Sequence, residues 1–126
     1  MRHDMRDLPD AELAVLQQLW ERGPATIRDL TDALYPNGSE AHYATVQKLL
    51  DRLEAKGCVH RDRSSRAHAF RAAVDRDEVI GQRLQAMAEK LCGGSLTPLV
   101  TNLVRSKRLT ARERREIRKL FDELDQ

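Results

Sequence analysis

The stretch that decides the fold is Tyr43–Val74, YATVQKLLDRLEAKGCVHRDRSSRAHAFRAAV, in which an amphipathic helical pattern runs directly into a basic two-stranded one. Val46, Leu49, Leu50 and Leu53 recur at i, i+3, i+4 and i+7, which commits one side of the helix to a core. The other side carries Tyr43, Thr45, Gln47, Lys48 and Arg52. Such residues hydrogen-bond base edges or phosphate oxygens when a helix enters the major groove. Lys56-Gly57 ends the helix, the cation facing the negative end of the dipole and the glycine supplying a left-handed turn. Cys58–Asp62 and Ala67–Val74 then read as short strands around Arg63-Ser64-Ser65-Arg66, whose arginines project from the hairpin tip.

Upstream, Leu13, Leu16, Leu19 and Trp20 place a stripe on a first helix from about Asp10 to Arg22, closed by Gly23-Pro24. Trp20 reads as core. Thr26 and Asp29 have the spacing to cap a second helix whose buried face is Ile27, Leu30 and Leu34, and Pro36-Asn37-Gly38 turns the chain into the third. Three helices on short turns followed by a hairpin is the order of a winged helix-turn-helix domain, closing near Val74. The expected fold class is therefore mainly α, with residues 1–74 forming this domain.

Residues 75–126 follow a different plan. Asp75 and Glu78 form a capping pattern, and Ile80, Leu84, Met87 and Leu91 continue at helical spacing until Gly93-Gly94. Ser95 is expected to cap the next helix, with Leu96, Leu99, Val100, Leu103 and Val104 as its stripe. Thr110 and Glu113 open a last helix bearing Ile117, Leu120, Phe121 and Leu124 on one side. Three short amphipathic helices make a poor core alone, so the economical arrangement packs them against a second copy. These stripes predict a two-fold homodimer through a three-helix C-terminal region.

Composition narrows the function classes. The net charge is only +2, but its distribution along the chain is uneven. Through Ser39 there are four basic residues against seven acidic ones, whereas from Glu40 to Val74 there are seven against four, on the proposed DNA-facing elements. Cys58 and Cys92 are too few for a disulfide scaffold and belong to no paired metal-ligand motif. Cys58 reads as core, and Cys92 as a packing thiol or, under oxidation, an intersubunit disulfide. With no apolar run near the roughly 20 residues that span a bilayer and a polar start, a cytoplasmic protein is expected. His3, His42, His60 and His68 show neither metal spacing nor a nucleophile arrangement, so neither enzyme activity nor a cofactor or metal is expected.

Thr45-Val46-Gln47-Lys48-Leu49-Leu50-Asp51-Arg52-Leu53 with Lys56-Gly57 resembles the recognition helix of the penicillinase-repressor (BlaI/MecI) family. Leu13 to Trp20, the wing Arg66-Ala67-His68-Ala69-Phe70-Arg71, Gly93-Gly94-Ser95-Leu96 through Leu99-Val100, and Leu109-Thr110 with Glu113 resemble the same pattern in order. The similarity covers roughly Leu8 to Leu124. It implies a dimeric bacterial repressor that binds a palindromic operator in double-stranded DNA, commonly with TACA and TGTA half-sites. It also implies induction in many members by cleavage between an asparagine and a hydrophobic residue, under a membrane sensor metalloprotease that responds to β-lactam. Asn102-Leu103 stands at that place, with leucine where the family more often has phenylalanine. The cysteine-rich C-terminal motif of copper-responsive relatives is missing before Asp125-Gln126.

Thr45, Gln47 and Lys48 are the expected base readers and Arg52 a phosphate contact, with Arg63 and Arg66 reaching phosphate or a minor groove from the wing. Tyr43 either stacks on the sugar-phosphate backbone or staples the helix start. A winged helix used only for protein contacts is the competing reading, because this fold does not by itself imply DNA binding. The basic run Arg105, Lys107, Arg108, Arg112, Arg114, Arg115, Arg118 and Lys119 lies outside the reading head. A solvated face, nonspecific DNA contact and an acidic partner are all compatible with it.

Overall fold

The computed structural model describes Met5 and residues 8–126, and the chain divides into two compact units, Met1–Arg83 and Leu84–Gln126. In the first, α1 (Asp10–Arg22), β1 (Ala25–Thr26), α2 (Ile27–Leu34), α3 (Glu40–Ala55), β2 (Val59–Asp62) and β3 (Ala69–Ala72) lead into α4 (Arg76–Cys92). The rest of α4, α5 (Thr97–Arg105) and α6 (Ala111–Leu124) make up the second. This is a mainly helical winged-helix architecture with a small antiparallel sheet in the order β1-β3-β2.

Val15, Leu16 and Leu19 put α1 into the core, while Leu13 and Trp20 pack at its edge half-buried. The Trp20 Nε1–H donates to the Val74 carbonyl at 2.9 Å, so the ring fastens the end of the hairpin to α1. At α2 the expected cap is complete. Thr26 Oγ1 accepts from the Asp29 N–H at 3.1 Å, and Asp29 Oδ2 accepts from the Thr26 N–H at 3.0 Å. The third strand, β1, goes beyond the sequence expectation. Ala25 and Thr26 pair with Phe70 and Ala69, which satisfies backbone groups between two helices in a run too short to show periodicity.

The turn before α3 requires its glycine, because a Cβ at Gly38 would lie 2.8 Å from the Tyr35 carbonyl oxygen. Gly57, at φ 77, provides the left-handed exit from α3. The hairpin strands are shorter than the expected 58–62 and 67–74, although the Ala73 N–H still bonds the Cys58 carbonyl at 2.8 Å. At the tip the Asp62 carboxylate accepts from the Ser64 N–H at 2.9 Å and the Ser65 hydroxyl donates to the Ala67 carbonyl at 3.0 Å. These local bonds take the place of ladder pairing.

The first turns of α4 belong to the N-terminal unit. Val79 enters its core, Gln82 Oε1 accepts from the Met5 N–H at 3.2 Å, and Arg83 Nη1 donates to the Leu8 carbonyl at 2.9 Å. In the C-terminal unit, α4 closes with the Gly94 N–H on the Ala88 carbonyl at 2.9 Å. Ser95 does not cap α5 as expected. Its hydroxyl accepts from the Thr97 N–H at 3.3 Å, so the helix begins at Thr97 with Leu96 at its cap. Thr110 and Glu113 form the reciprocal box that opens α6, at 3.1 and 3.0 Å.

Candidate nucleic-acid interface

Helix α3 separates its two faces cleanly. Val46, Leu50 and Leu53 are wholly inaccessible and Leu49 nearly so, while Thr45, Gln47, Lys48 and Arg52 are exposed. Thr45 Oγ1 donates to the Ala41 carbonyl at 2.9 Å, which leaves its methyl group and acceptor lone pairs for anything outside. Among the described residues, the side chains of Gln47, Lys48 and Arg52 have no hydrogen-bond or ion-pair partner. Their amide and cationic groups are free to donate.

At the start of α3, the Ser39 N–H donates to His42 Nδ1 at 3.0 Å and the His42 ring stacks on Tyr35 at 4.4 Å between centroids. Imidazole here takes the place usually held by Glu or Gln, so the cap does not show in the sequence pattern. Tyr43 is half-buried against the core, and the Arg28 guanidinium lies 4.8 Å above its ring. Arg28, exposed on α2, is not among the expected contacts. Only the pairing of α2 with α3 brings it to the same end as Tyr43.

The wing is anchored to α3 by charge. Arg61 Nε donates to His68 Nδ1 at 2.9 Å across the hairpin, its Nη1 lies 3.5 Å from Asp51 Oδ1, and the guanidinium covers the Phe70 ring at 5.0 Å. Arg63 at the tip pairs with Glu54 Oε2 at 3.1 Å, whereas Arg66 is exposed with no side-chain partner among the described residues. The Ser64 backbone N–H, then its side chain, hold the Asp62 carboxyl below the usual carboxylate range, so the tip turn keeps its acceptor charged.

A buried ion pair supports the other end of α3. Glu12 on α1 is 1% exposed and accepts from Lys56 Nζ at 2.6 Å, where Lys56 caps α3 just before the wing. Lys56 itself is 30% exposed. A lone acid inside an apolar α1 stripe is the sequence signal for such a partner, though its identity needs the fold.

The expected dimerisation residues lie mostly uncovered. Ile80, Leu84, Met87 and Leu91 on α4 are exposed, as are Leu96, Val100 and Leu103 at α5 and Leu120, Phe121 and Leu124 on α6, while Leu99 is half-buried. Asn102 and Leu103 sit inside α5, both exposed. Leu96, Val100, Val104 and Phe121 line an open groove of about 430 Å³. Among the described residues no group of three or more His, Cys, Asp or Glu could hold a metal ion, and no helix is long and apolar enough to cross a membrane.

A sequence model of the penicillinase repressor family matches residues 8–123. The chain belongs to the penicillinase repressor family. It is 34% identical over 120 residues to the transcriptional regulator BlaI of Mycobacterium tuberculosis, spanning 94% of this chain and 85% of that one. It is 22% identical over 122 residues to the penicillinase repressor of Bacillus licheniformis, spanning 94% of each. A MarR family protein from Bacillus stearothermophilus aligns with 94% of this chain and 76% of its own at 25% identity, with a TM-score of 0.47. As a member of the penicillinase repressor family the protein is a transcriptional repressor, and the exposed face of α3 with the wing is its candidate DNA-reading surface.

Proposed function

We propose that this repressor binds a palindromic operator as a homodimer, α3 of each copy in a major groove and the wing on the flanking backbone. The observation that carries this reading is the face of α3, where Thr45, Gln47, Lys48 and Arg52 stand exposed opposite a stripe closed to solvent. Gln47 and Lys48 read bases, Thr45 offers a methyl and acceptors, and Arg52 neutralises phosphate. Arg66 reaches the backbone directly. Arg63 must first leave Glu54, so its contribution is smaller. Tyr43, steadied by Arg28, supports the start of the helix next to the backbone.

Residues 75–126 join the two copies. Isolated exposed leucines are ordinary, but apolar stripes at helical spacing left exposed on three successive helices call for a covering surface. A two-fold dimer places half-sites about one helical turn, roughly 10 bp, or a multiple of it, apart. Derepression follows cleavage of Asn102-Leu103 by a membrane sensor metalloprotease, in a response to β-lactam or cell-wall stress. Because that bond lies within α5, the helix must unwind locally before a protease can take it in extended form. The cut detaches Leu103, Val104 and all of α6 from the interface.

The test is titration of the purified protein onto its own upstream promoter DNA, with scrambled DNA alongside and salt varied from low to physiological. Selective binding that Gln47→Ala weakens by about 1–3 kcal/mol, with stability unchanged, supports the proposal. Equal affinity for both duplexes, or no salt-sensitive binding, contradicts it and favours a winged helix used for protein contacts.

A further inference from the structure

Residues 105–119 hold eight basic residues against two acidic ones, although the whole chain is only +2. Residues 1–83, which contain the winged helix, carry thirteen basic against fourteen acidic residues and so have no net positive charge of their own. Most of the long-range attraction for a polyanion therefore originates in the C-terminal unit.

The placement of these charges on α6 runs against helix stability. Cations are favoured at the C-terminal end of a helix and anions at the N-terminal end. In α6, Arg112, Arg114 and Arg115 crowd the N-terminal turns with Glu113 the one first-turn acid, while Asp122, Glu123 and Asp125 gather at the other end. Sequences that break a local rule commonly do so for function. At helical spacing Arg112, Arg115, Arg118 and Lys119 share about a third of the circumference, opposite Ile117, Leu120, Phe121 and Leu124. All four are exposed, and among the described residues their one ion pair is Arg112–Glu116 at 3.1 Å, with Arg112 84% exposed. Both surfaces of α6 are thus usable at once, the apolar one for the second copy and the basic one for a further contact.

We propose that the basic face of α6, made by Arg112, Arg115, Arg118 and Lys119, is a second, sequence-independent surface for the phosphate backbone of duplex DNA. It rests on the repressor reading and extends it, dividing the work between a winged helix that selects sequence and a C-terminal unit that supplies charge. Arginine at three of the four positions suits phosphate, which its planar fork can engage with two hydrogen bonds. The basic charge alone suits any polyanionic surface, but an amphipathic helix on a bilayer must bury its apolar face, and that face of α6 is assigned to the dimer, which favours duplex DNA.

The experiment compares the full-length protein with the R112Q/R115Q/R118Q/K119Q variant on operator and scrambled duplexes across a salt series. Glutamine keeps helix propensity, and removing cations from the first turns relieves the dipole conflict. Thermal stability is therefore expected to stay level or rise while affinity for scrambled DNA falls about tenfold or more at low salt. The log–log salt slope should shrink by about 0.9 for each phosphate that is no longer neutralised, and the charge-retaining R112K/R115K/R118K variant should keep most of the binding. Unchanged scrambled-DNA affinity and slope overturn the proposal. If the quadruple variant instead loses binding only to vesicles containing an anionic phospholipid, the surface serves a membrane and the proposal is overturned. Operator selectivity with an unaffected quadruple variant refutes this surface and leaves the repressor reading intact. Loss of selectivity together with salt-sensitive, α6-dependent binding does the reverse.

Discussion

The two units use the same sequence device and meet opposite outcomes. Among the described residues, seventeen of the eighteen buried apolar residues lie in the unit that ends at Arg83, and ten of the eleven large exposed ones lie in the unit that follows. Leu50 and Leu120 both occupy stripes of helical period, yet one is fully enclosed and the other 59% exposed. Periodicity announces that a face is to be covered. It does not say by what, and among the described residues the stripes of the second unit stay largely exposed.

The largest expected effect breaks the closed unit. Leu50→Ala should lower unfolding free energy by about 2–5 kcal/mol at any protein concentration, because the cavity forms in a core complete in one copy. Denaturant melts at two concentrations check this. Leu124→Ala, at a position 79% exposed in one copy, should show its cost chiefly as a concentration-dependent melt.

Phe121→Asp tests the open unit more directly. A charge placed in the groove beside Leu96 and Val100 should weaken dimerisation by about 100-fold, with the helical content of the monomer retained. Sedimentation equilibrium decides this, and an unchanged association constant would remove α6 from the interface.

The Glu12–Lys56 pair sharpens the contrast from inside the closed unit. Lys56→Met strands a carboxylate at a position 1% exposed, and the cost should be about 2–4 kcal/mol, discounted because Lys56 is partly solvated. Replacing both members with apolar residues should recover much of that loss. A double variant as unstable as the single one would mean that the pair, and not the stranded charge, governs stability.

The smallest effect concerns the α2 cap. Thr26→Ala should cost about 1 kcal/mol in a thermal melt. The Thr26 backbone N–H, then its hydroxyl, hold the Asp29 carboxyl below the usual range. A depressed folded value gives stability that is present above the unfolded value and lost as pH falls through the folded one, here below about pH 4. Asp29→Asn should lack that acid component.

What the sequence made legible follows the same division. The three helices, the order of the hairpin and the caps at Thr26 and Thr110 rest on short-range patterns that survive folding, with the two strands trimmed at their ends. The shortfalls are long-range. Two residues, Ala25 and Thr26, become a strand only because Phe70 and Ala69 arrive beside them. Arg61 orders the wing through Asp51, His68 and Phe70, drawn from both α3 and the hairpin, and Arg28 meets Tyr43 through helix packing. Ser95 mimics a cap because its hydroxyl does accept an amide, but Pro98 in the first turn and the bend at Leu96 move the helix start. The candidate DNA face, by contrast, needs only the complement of the stripe formed by Val46, Leu49, Leu50 and Leu53.

The most direct test of the division of labour is the stoichiometry on one palindromic operator duplex, measured by sedimentation velocity with a scrambled duplex as reference. Two copies per operator are expected, bound cooperatively and reduced to weak single-copy binding by Phe121→Asp. One copy per duplex for the wild-type protein, or the same stoichiometry on scrambled DNA, would contradict it.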